Sequence, residues 1–173
     1  MEINWGVPSD FNDVNQILIE TATRLNKKGS SQWSHILIGE EKEDLARHLA
    51  DKEVVVLTME KEIIALAYLY QKPNTWDFGL WQLPFNENIY YLHKVAIKDA
   101  FVGKNYGKQF LQEIIKWVKL SGGTRICLDC QASVPYLNQF YAESGFTFKG
   151  KCEKGHFPEL TADFNLYDYE ITQ

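Results

Sequence analysis

Two stretches of this chain carry residue types at spacings that could do chemistry. The first is Tyr91-Leu92-His93-Lys94-Val95-Ala96-Ile97-Lys98-Asp99-Ala100-Phe101-Val102-Gly103-Lys104-Asn105-Tyr106-Gly107-Lys108. It reads as a strand, a glycine-bearing turn and the start of a helix. Successive backbone N–H groups in such a turn, together with the positive end of the helix dipole, make a seat for phosphate or pyrophosphate. Glycine matters there because a side chain would hold the backbone away from the anion. The turn lacks the lysine-serine/threonine pair of a Walker loop and the three spaced glycines of a dinucleotide fingerprint. Two glycines alone describe an ordinary strand-to-helix loop equally well, so charge has to separate the readings. From Lys94 to Arg125 there are seven basic and two acidic residues, a local +5 that leaves −10 for the rest of a chain whose net charge is −5. A cationic segment centred on such a turn, in an otherwise acidic protein, suits a multiply phosphorylated ligand. His93 sits on the strand, titrates in a range useful for proton transfer, and by strand alternation shares a face with Tyr91, Val95 and Ile97.

The second stretch is Asp129-Cys130-Gln131-Ala132 followed by Leu137-Asn138-Gln139-Phe140-Tyr141-Ala142-Glu143-Ser144-Gly145-Phe146. It places a strand end and a helix end close in sequence, with Gly145 suited to a left-handed cap and Tyr141 one turn before it. By itself Tyr141 reads as a core tyrosine packing the helix end.

Around these stretches the chain supplies a regular frame. Residues 3–7 form a short strand ended by Pro8. Ser9 and Asp10 open a helix whose apolar positions Phe11, Val14, Ile17, Leu18 and Leu25 follow helical spacing. Residues 41–50 form a second helix, with Leu45 and Leu49 inward. The strands 53–59 and 63–70 make a hairpin about Glu60-Lys61-Glu62. Residues 72–88 read as a loop. After the strand 89–97, the helix 107–120 carries the stripe Phe110, Leu111, Ile114, Ile115 and Val118 and stops at Gly122-Gly123. Strand 125–130, a helix opened by Pro135, and strands 146–152 and 164–171 complete the order. The expected fold is α/β, a mixed and mostly antiparallel sheet flanked by helices, in one domain spanning residues 1–173.

At this point the chain resembles the GNAT superfamily of acetyl-CoA-dependent N-acetyltransferases. The family's signature, Arg/Gln-x-x-Gly-x-Gly/Ala after a strand, falls on Val102-Gly103-Lys104-Asn105-Tyr106-Gly107, with Val102 and Asn105 departing from it. Asn tolerates positive φ better than most residues, which preserves the turn. The helix end around Phe140-Tyr141 and Gly145-Phe146 is similar to the family's second motif, with Val134 where an Asn is common. The resemblance implies a GNAT-like fold and acetyl-CoA as co-substrate. The strand backbone of Val95, Ala96 and Ile97 would pair with the pantetheine arm. Amides from Val102, Gly103, Lys104, Asn105, Tyr106, Gly107 and Lys108 would hold the pyrophosphate. Tyr141 would act as general acid on the departing thiolate and His93 as base, with Glu62, Asp129 or a water relay as the other routes for the proton. The acceptor would be a primary amine of a small molecule or peptide. The reading from another class is a non-catalytic acyl-CoA-binding or regulatory module on the same fold.

Composition bounds the remaining options. The chain has 173 residues, 45% hydrophobic and 14% aromatic, enough to build a core. Its acidic balance argues against nucleic acid and anionic membranes as partners. The longest apolar run, residues 63–70, is too short to span a bilayer. The acidic start (Glu2, Asp10, Asp13, Glu20) argues against a secretory signal, and an odd count of three cysteines suits reduced thiols, so a cytoplasmic location is expected. A homodimer through the last strands is compatible with the pattern. Cys127-x-x-Cys130 lies along one strand, with its members on opposite faces. The four histidines show no metal-ligand spacing, so no metal is expected. Trp76, Phe78, Trp81 and Phe85 form either a lid or an acceptor pocket. The run Glu40-Glu41-Lys42-Glu43-Asp44 reads as a solvated helix start.

Overall fold

The β-branched run Val54–Met59 (β2) pairs antiparallel with Glu62–Tyr70 (β3), the turn between them held by positive φ at Glu60 (50°) and Lys61 (71°). Glu2–Trp5 (β1) adds to the free side of β2. In this computed structural model, which describes residues 1–172, seven strands stand in the order β1-β2-β3-β4-β5-β7-β6, with β4 Ile89–Ile97, β5 Arg125–Gln131, β6 Thr147–Cys152 and β7 Phe164–Glu170. The pair β4–β5 is parallel; β1–β2, β2–β3, β5–β7 and β6–β7 are antiparallel. The fold is α/β with a mixed, mostly antiparallel open sheet and flanking helices, as the sequence pattern implies.

The chain divides into two compact units, residues 1–68 with 94–110, and residues 69–93 with 111–173. In the first, helix α1 (Phe11–Lys27) buries Val14, Ile17, Leu18, Thr21 and Ala22 at spacings of three and four. A short helix α2 (Ser34–Leu37) follows, within residues that carry no strong pattern. Helix α3 (Lys42–Ala50) buries Leu45 and Leu49, and Val54, Val55, Val56 and Leu57 of β2 are buried with them. In the second, Leu111, Ile114, Ile115 and Val118 of helix α5 (Tyr106–Leu120), together with Ile126, Cys127 and Leu128 of β5, are withdrawn from water. Helix α6 (Pro135–Glu143) begins with Pro at its first turn and ends before Gly145 at φ 94°, the left-handed cap expected there.

Residues 72–88 are not all loop. Thr75–Trp81 forms a helix, α4. Its start is a reciprocal cap: the Asn74 side chain accepts from the Asp77 N–H at 2.8 Å and the Asp77 carboxylate accepts from the Asn74 N–H at 3.1 Å. Seven residues with Gly79 among them show little periodicity, so the cap was the legible sign. Gly79 sits so close to Phe157 that an added Cβ would lie 2.9 Å from its ring. Leu80 joins Cys152 and Leu160 in a small core on which Trp76, Trp81, Phe157, Phe164 and Leu166 pack.

Candidate active site

The turn and the end of the strand before it, residues 94–97, belong to the first unit. Gly103 (φ 76°) and Asn105 (φ 65°) both take the left-handed conformation, so Asn105 fills the place of a glycine without changing the turn. Val102, Gly103, Lys104 and Asn105 are exposed, Tyr106 and Gly107 half-buried, and Lys108 exposed. Helix α5 starts at Tyr106, and its first N–H groups have no acceptor within the helix. Nothing lies within 4 Å of a Cβ built at Gly103, so the space over the turn is open. Tyr106 braces the turn by an edge contact to Phe101 and a hydroxyl donated to Met59 Sδ at 3.9 Å. These residues fit an anion-binding cradle made of main chain.

The cationic character of this segment is largely spent inside the protein. Lys94 pairs with Glu41, Lys98 with Glu62, Lys116 with Glu113 and Arg125 with Asp168. Lys104 donates to the Ala100 carbonyl at 2.8 Å, and Lys119 to that of Thr172 at 2.8 Å. Lys108 is therefore the lysine of this stretch best placed to add charge to a bound anion.

On β4, Lys94 stands at φ 50°. A left-handed residue breaks the two-residue alternation of a strand. The face that His93 shares with Tyr91 therefore does not continue to Val95 and Ile97, contrary to the sequence expectation. Ala96 is buried, Val95 and Ile97 are half-buried, and the Ile97 carbonyl accepts from Arg24 at 3.2 Å. Lys94 is fixed by Glu41, which is only 5% exposed and accepts from Tyr68 Oη at 2.8 Å, with His35 Nε2 at 3.0 Å. Glu41 is thus a buried hub and not the solvated acid that its charge run suggested; three partners offset its desolvation.

The second unit holds a tight group. The β4–β5 register runs over Ile89–Tyr91 against Arg125–Cys127, and His93 and Asp129 each lie two residues further on. His93 Nε2 is 2.7 Å from Asp77 Oδ1, and His93 Nδ1 is 4.0 Å from Asp129 Oδ1. Tyr70 stacks on the imidazole at 5.3 Å, and its hydroxyl accepts from Asn74 Nδ2. Trp76 Nε1 donates to Asp129 Oδ2 at 3.3 Å, and its ring meets Phe157 and Phe164 edge-on. Asp77 is 1% exposed. Sequence reasoning named His93 and Asp129 but missed Asp77, whose sign was the Asn74-x-x-Asp77 cap. The ligand atoms of Asp77, His93 and Asp129 lie within 4.8 Å of one another, a spacing that could also hold a metal ion. The expectation of no metal rested on histidine spacing and did not foresee this group.

Tyr141 is buried between Phe140, Phe146 and Tyr167. Burial above all, then Cys130 and Asp129, raises the pKa of its phenol, so it is a proton holder across the physiological range. Asn138, one turn earlier, ties the helix to the sheet: it donates to the Gln131 and Val134 carbonyls and accepts from Asn165 and Tyr167. Cys127 and Cys130 are free and buried, and burial pushes each thiol up to about 12, against a redox or nucleophilic role. Of the aromatic set, Trp76 and Trp81 are half-buried, whereas Phe78 and Phe85 are exposed.

Residues 14–146 match the acetyltransferase (GNAT) family. The chain belongs to the GNAT family of acetyltransferases. It is 31% identical, over 166 residues, to the uncharacterized N-acetyltransferase YesJ of Bacillus subtilis, an alignment covering 96% of this chain and 88% of that one. It is similar to the crystal structure of a GNAT-family acetyltransferase from Listeria monocytogenes, with TM-score 0.80 and 30% identity, covering 98% of this chain and 94% of that one. PaiA N-acetyltransferase from Thermoplasma acidophilum, crystallised in complex with coenzyme A, shares the fold at TM-score 0.73 and 17% identity over 98% of both chains. As a GNAT acetyltransferase the protein is an acyl-transferring enzyme. Among the described residues, no helix is long and apolar enough to cross a membrane.

Proposed function

We propose that this acetyltransferase moves an acetyl group from acetyl-CoA to a primary amine of a small molecule or peptide by direct attack. One observation carries the reading: the His93 imidazole is held against the Asp77 carboxylate at 2.7 Å, a proton acceptor with a fixed partner. In this reading the amides of residues 102–108 hold the donor's pyrophosphate, supported by the paired left-handed residues Gly103 and Asn105. His93 takes one proton from the acceptor ammonium. The neutral nitrogen then forms its bond to the thioester carbon, the C–S bond breaks, and Tyr141 gives its proton to the departing sulfur. The second proton lost by the amine restores Tyr141. His93 releases its own proton to water, so each turnover yields one amide, one thiol and one proton.

The test is an amine panel incubated with acetyl-CoA, read as free thiol released, alongside thermal shift with acetyl-CoA alone. A thermal shift together with amine-dependent thiol release is expected. A shift without thiol release from any amine refutes the amine-acceptor reading, and no shift at all refutes acetyl-CoA as donor.

A further inference from the structure

The phosphate turn is tied down at both ends, and the ties at its first end come from helix α1. The peptide between Ile97 and Lys98 sets the direction. Its Lys98 N–H donates to the Ile64 carbonyl of β3 at 2.9 Å, and because the peptide is trans the Ile97 carbonyl points to the opposite side. There it accepts from Arg24 Nη2 at 3.2 Å. The same nitrogen is 3.1 Å from Thr21 Oγ1, while Arg24 Nη1 donates to Asp99 Oδ1. Glu20 accepts the Asp99 N–H at 2.8 Å. Glu20 and Thr21 precede Arg24 by four and three residues, so all three are neighbours on the surface of α1. Together they grip a carbonyl, an N–H and a carboxylate at Ile97 and Asp99.

Asp99 then leads directly into the turn. The Val102 N–H donates to the Asp99 carbonyl at 3.2 Å, and Lys104 Nζ donates to that of Ala100 at 2.8 Å. At the far end Tyr106 is braced by Phe101 and Met59. Between these anchors residues 102–105 are exposed, with Gly103 and Asn105 left-handed. Main-chain N–H groups bind an anion only as well as they are aimed before it arrives. As an ion pair Arg24–Asp99 counts for little, since the two side chains are 29% and 53% exposed. As a planar fork it fixes Ile97 and Asp99 relative to each other, which a single ammonium cannot do.

Resting on the reading that this turn seats the donor's pyrophosphate, we propose that Arg24 is a positioning residue for acetyl-CoA. It aims the amides of the turn through Ile97 and Asp99, and so governs affinity for the donor and not the handling of the amine.

The rival role for an arginine near an anion seat is plain charge attraction, and one variant separates the two by sign. Asp99→Ala deletes a negative charge beside the turn, so attraction alone predicts tighter binding of a polyanion. Positioning predicts the reverse, because Arg24 loses its hold on the turn. Calorimetry should show Kd for acetyl-CoA about tenfold higher in Asp99→Ala; an equal or lower Kd overturns the proposal. Arg24→Lys keeps the charge and loses the fork, so it should weaken binding as much as Arg24→Met. An affinity for Arg24→Lys within about twofold of wild type assigns the effect to charge and overturns the proposal. In kinetics KM for acetyl-CoA should rise while KM for the amine and kcat at saturating donor stay within about twofold. Equal rises in both KM values mark a general structural loss and refute the positioning role. Amide hydrogen exchange of the free protein supplies a readout that needs no ligand. Residues 99–105 should exchange at least about tenfold faster in Arg24→Lys and Asp99→Ala, with the β2–β3 hairpin unchanged. Unchanged exchange in the turn overturns the proposal. If the wild type binds no acetyl-CoA, the acyl-transfer reading fails, while exchange still decides whether Arg24 orders the turn.

Discussion

Gly103→Ala isolates the conformational demand of the phosphate turn. Gly103 stands at φ 76°, and nothing lies within 4 Å of the Cβ that alanine would add. The substitution therefore meets no clash inside the protein, and its whole intrinsic cost is that of holding an L-residue left-handed, about 1–2 kcal/mol. For a chain of this size each kcal/mol lowers Tm by about 2–4 °C, so the loss should be about 2–8 °C. Alanine at a φ < 0 position on the same exposed surface supplies the baseline. If the turn seats a pyrophosphate, the added methyl also stands between backbone and anion, and acetyl-CoA affinity should fall by more than the roughly fivefold that 1 kcal/mol represents. Thermal denaturation of the free protein and titration calorimetry with acetyl-CoA measure the two terms separately. An unchanged Tm would refute the left-handed assignment. A lowered Tm with unchanged affinity would refute the turn as the anion seat.

Other expectations are read more simply. Tyr141→Phe should lower kcat at least about tenfold while acetyl-CoA still shifts Tm; unchanged turnover removes the general-acid role. With pKa values near 12, Cys127 and Cys130 are about one part in ten thousand thiolate at pH 8. Thiol reagents should thus label them only after unfolding, and faster as pH rises toward that value. Rapid labelling of the folded protein would contradict their burial. Glu41→Ala removes the carboxylate that accepts from Tyr68 Oη and pairs with the Lys94 ammonium, whose side chain is 23% exposed. Discounted for that exposure, the loss should be about 2–4 kcal/mol by denaturant titration, and less than 0.5 kcal/mol would show that Glu41 is not the hub of this network. Because most lysines of residues 94–125 are paired internally, acetyl-CoA affinity should fall only weakly with ionic strength; a steep dependence would mean that the ion pairs open on binding.

The frame was legible wherever one residue pattern is enforced by burial over many turns. The stripe Val14, Ile17, Leu18 and the stripe Phe110, Leu111, Ile114, Val118 each specify a helix, because half of their positions must leave water. The β2–β3 hairpin was legible because its β-branched residues flank a polar turn. Helix α4 was not, because its identity rests on two hydrogen bonds between Asn74 and Asp77 and on contacts from Phe157, more than 75 residues downstream. The break at Lys94 was equally invisible. A non-glycine residue at φ 50° is specified by what holds its side chain, here Glu41 and the Tyr68 ring, and neither is near it in sequence.

Charge shows most clearly why the site was half legible. A count along the chain registers seven bases near the turn, but the side chains that neutralise them come from elsewhere: Glu41 for Lys94, Glu62 for Lys98, Asp168 for Arg125. The turn keeps what its backbone provides, two left-handed residues and a helix start, and these were readable from Gly103, Asn105 and Gly107. The catalytic candidates follow the opposite logic. Tyr141 and His93 were named through the resemblance to the family's motifs, by their positions in them. What holds the His93 ring, however, is the Asp77 carboxylate at 2.7 Å from Nε2, and Asp77 sits in a stretch whose sequence announces only aromatic and turn-forming residues. A side chain that must transfer a proton needs its tautomer set by a neighbour of fixed position, and helix caps supply such neighbours because their carboxylates are already held by the backbone. A short N-cap signature beside a strand histidine therefore deserves weight as a sign of function, even where the helix it starts is too short to be seen by periodicity.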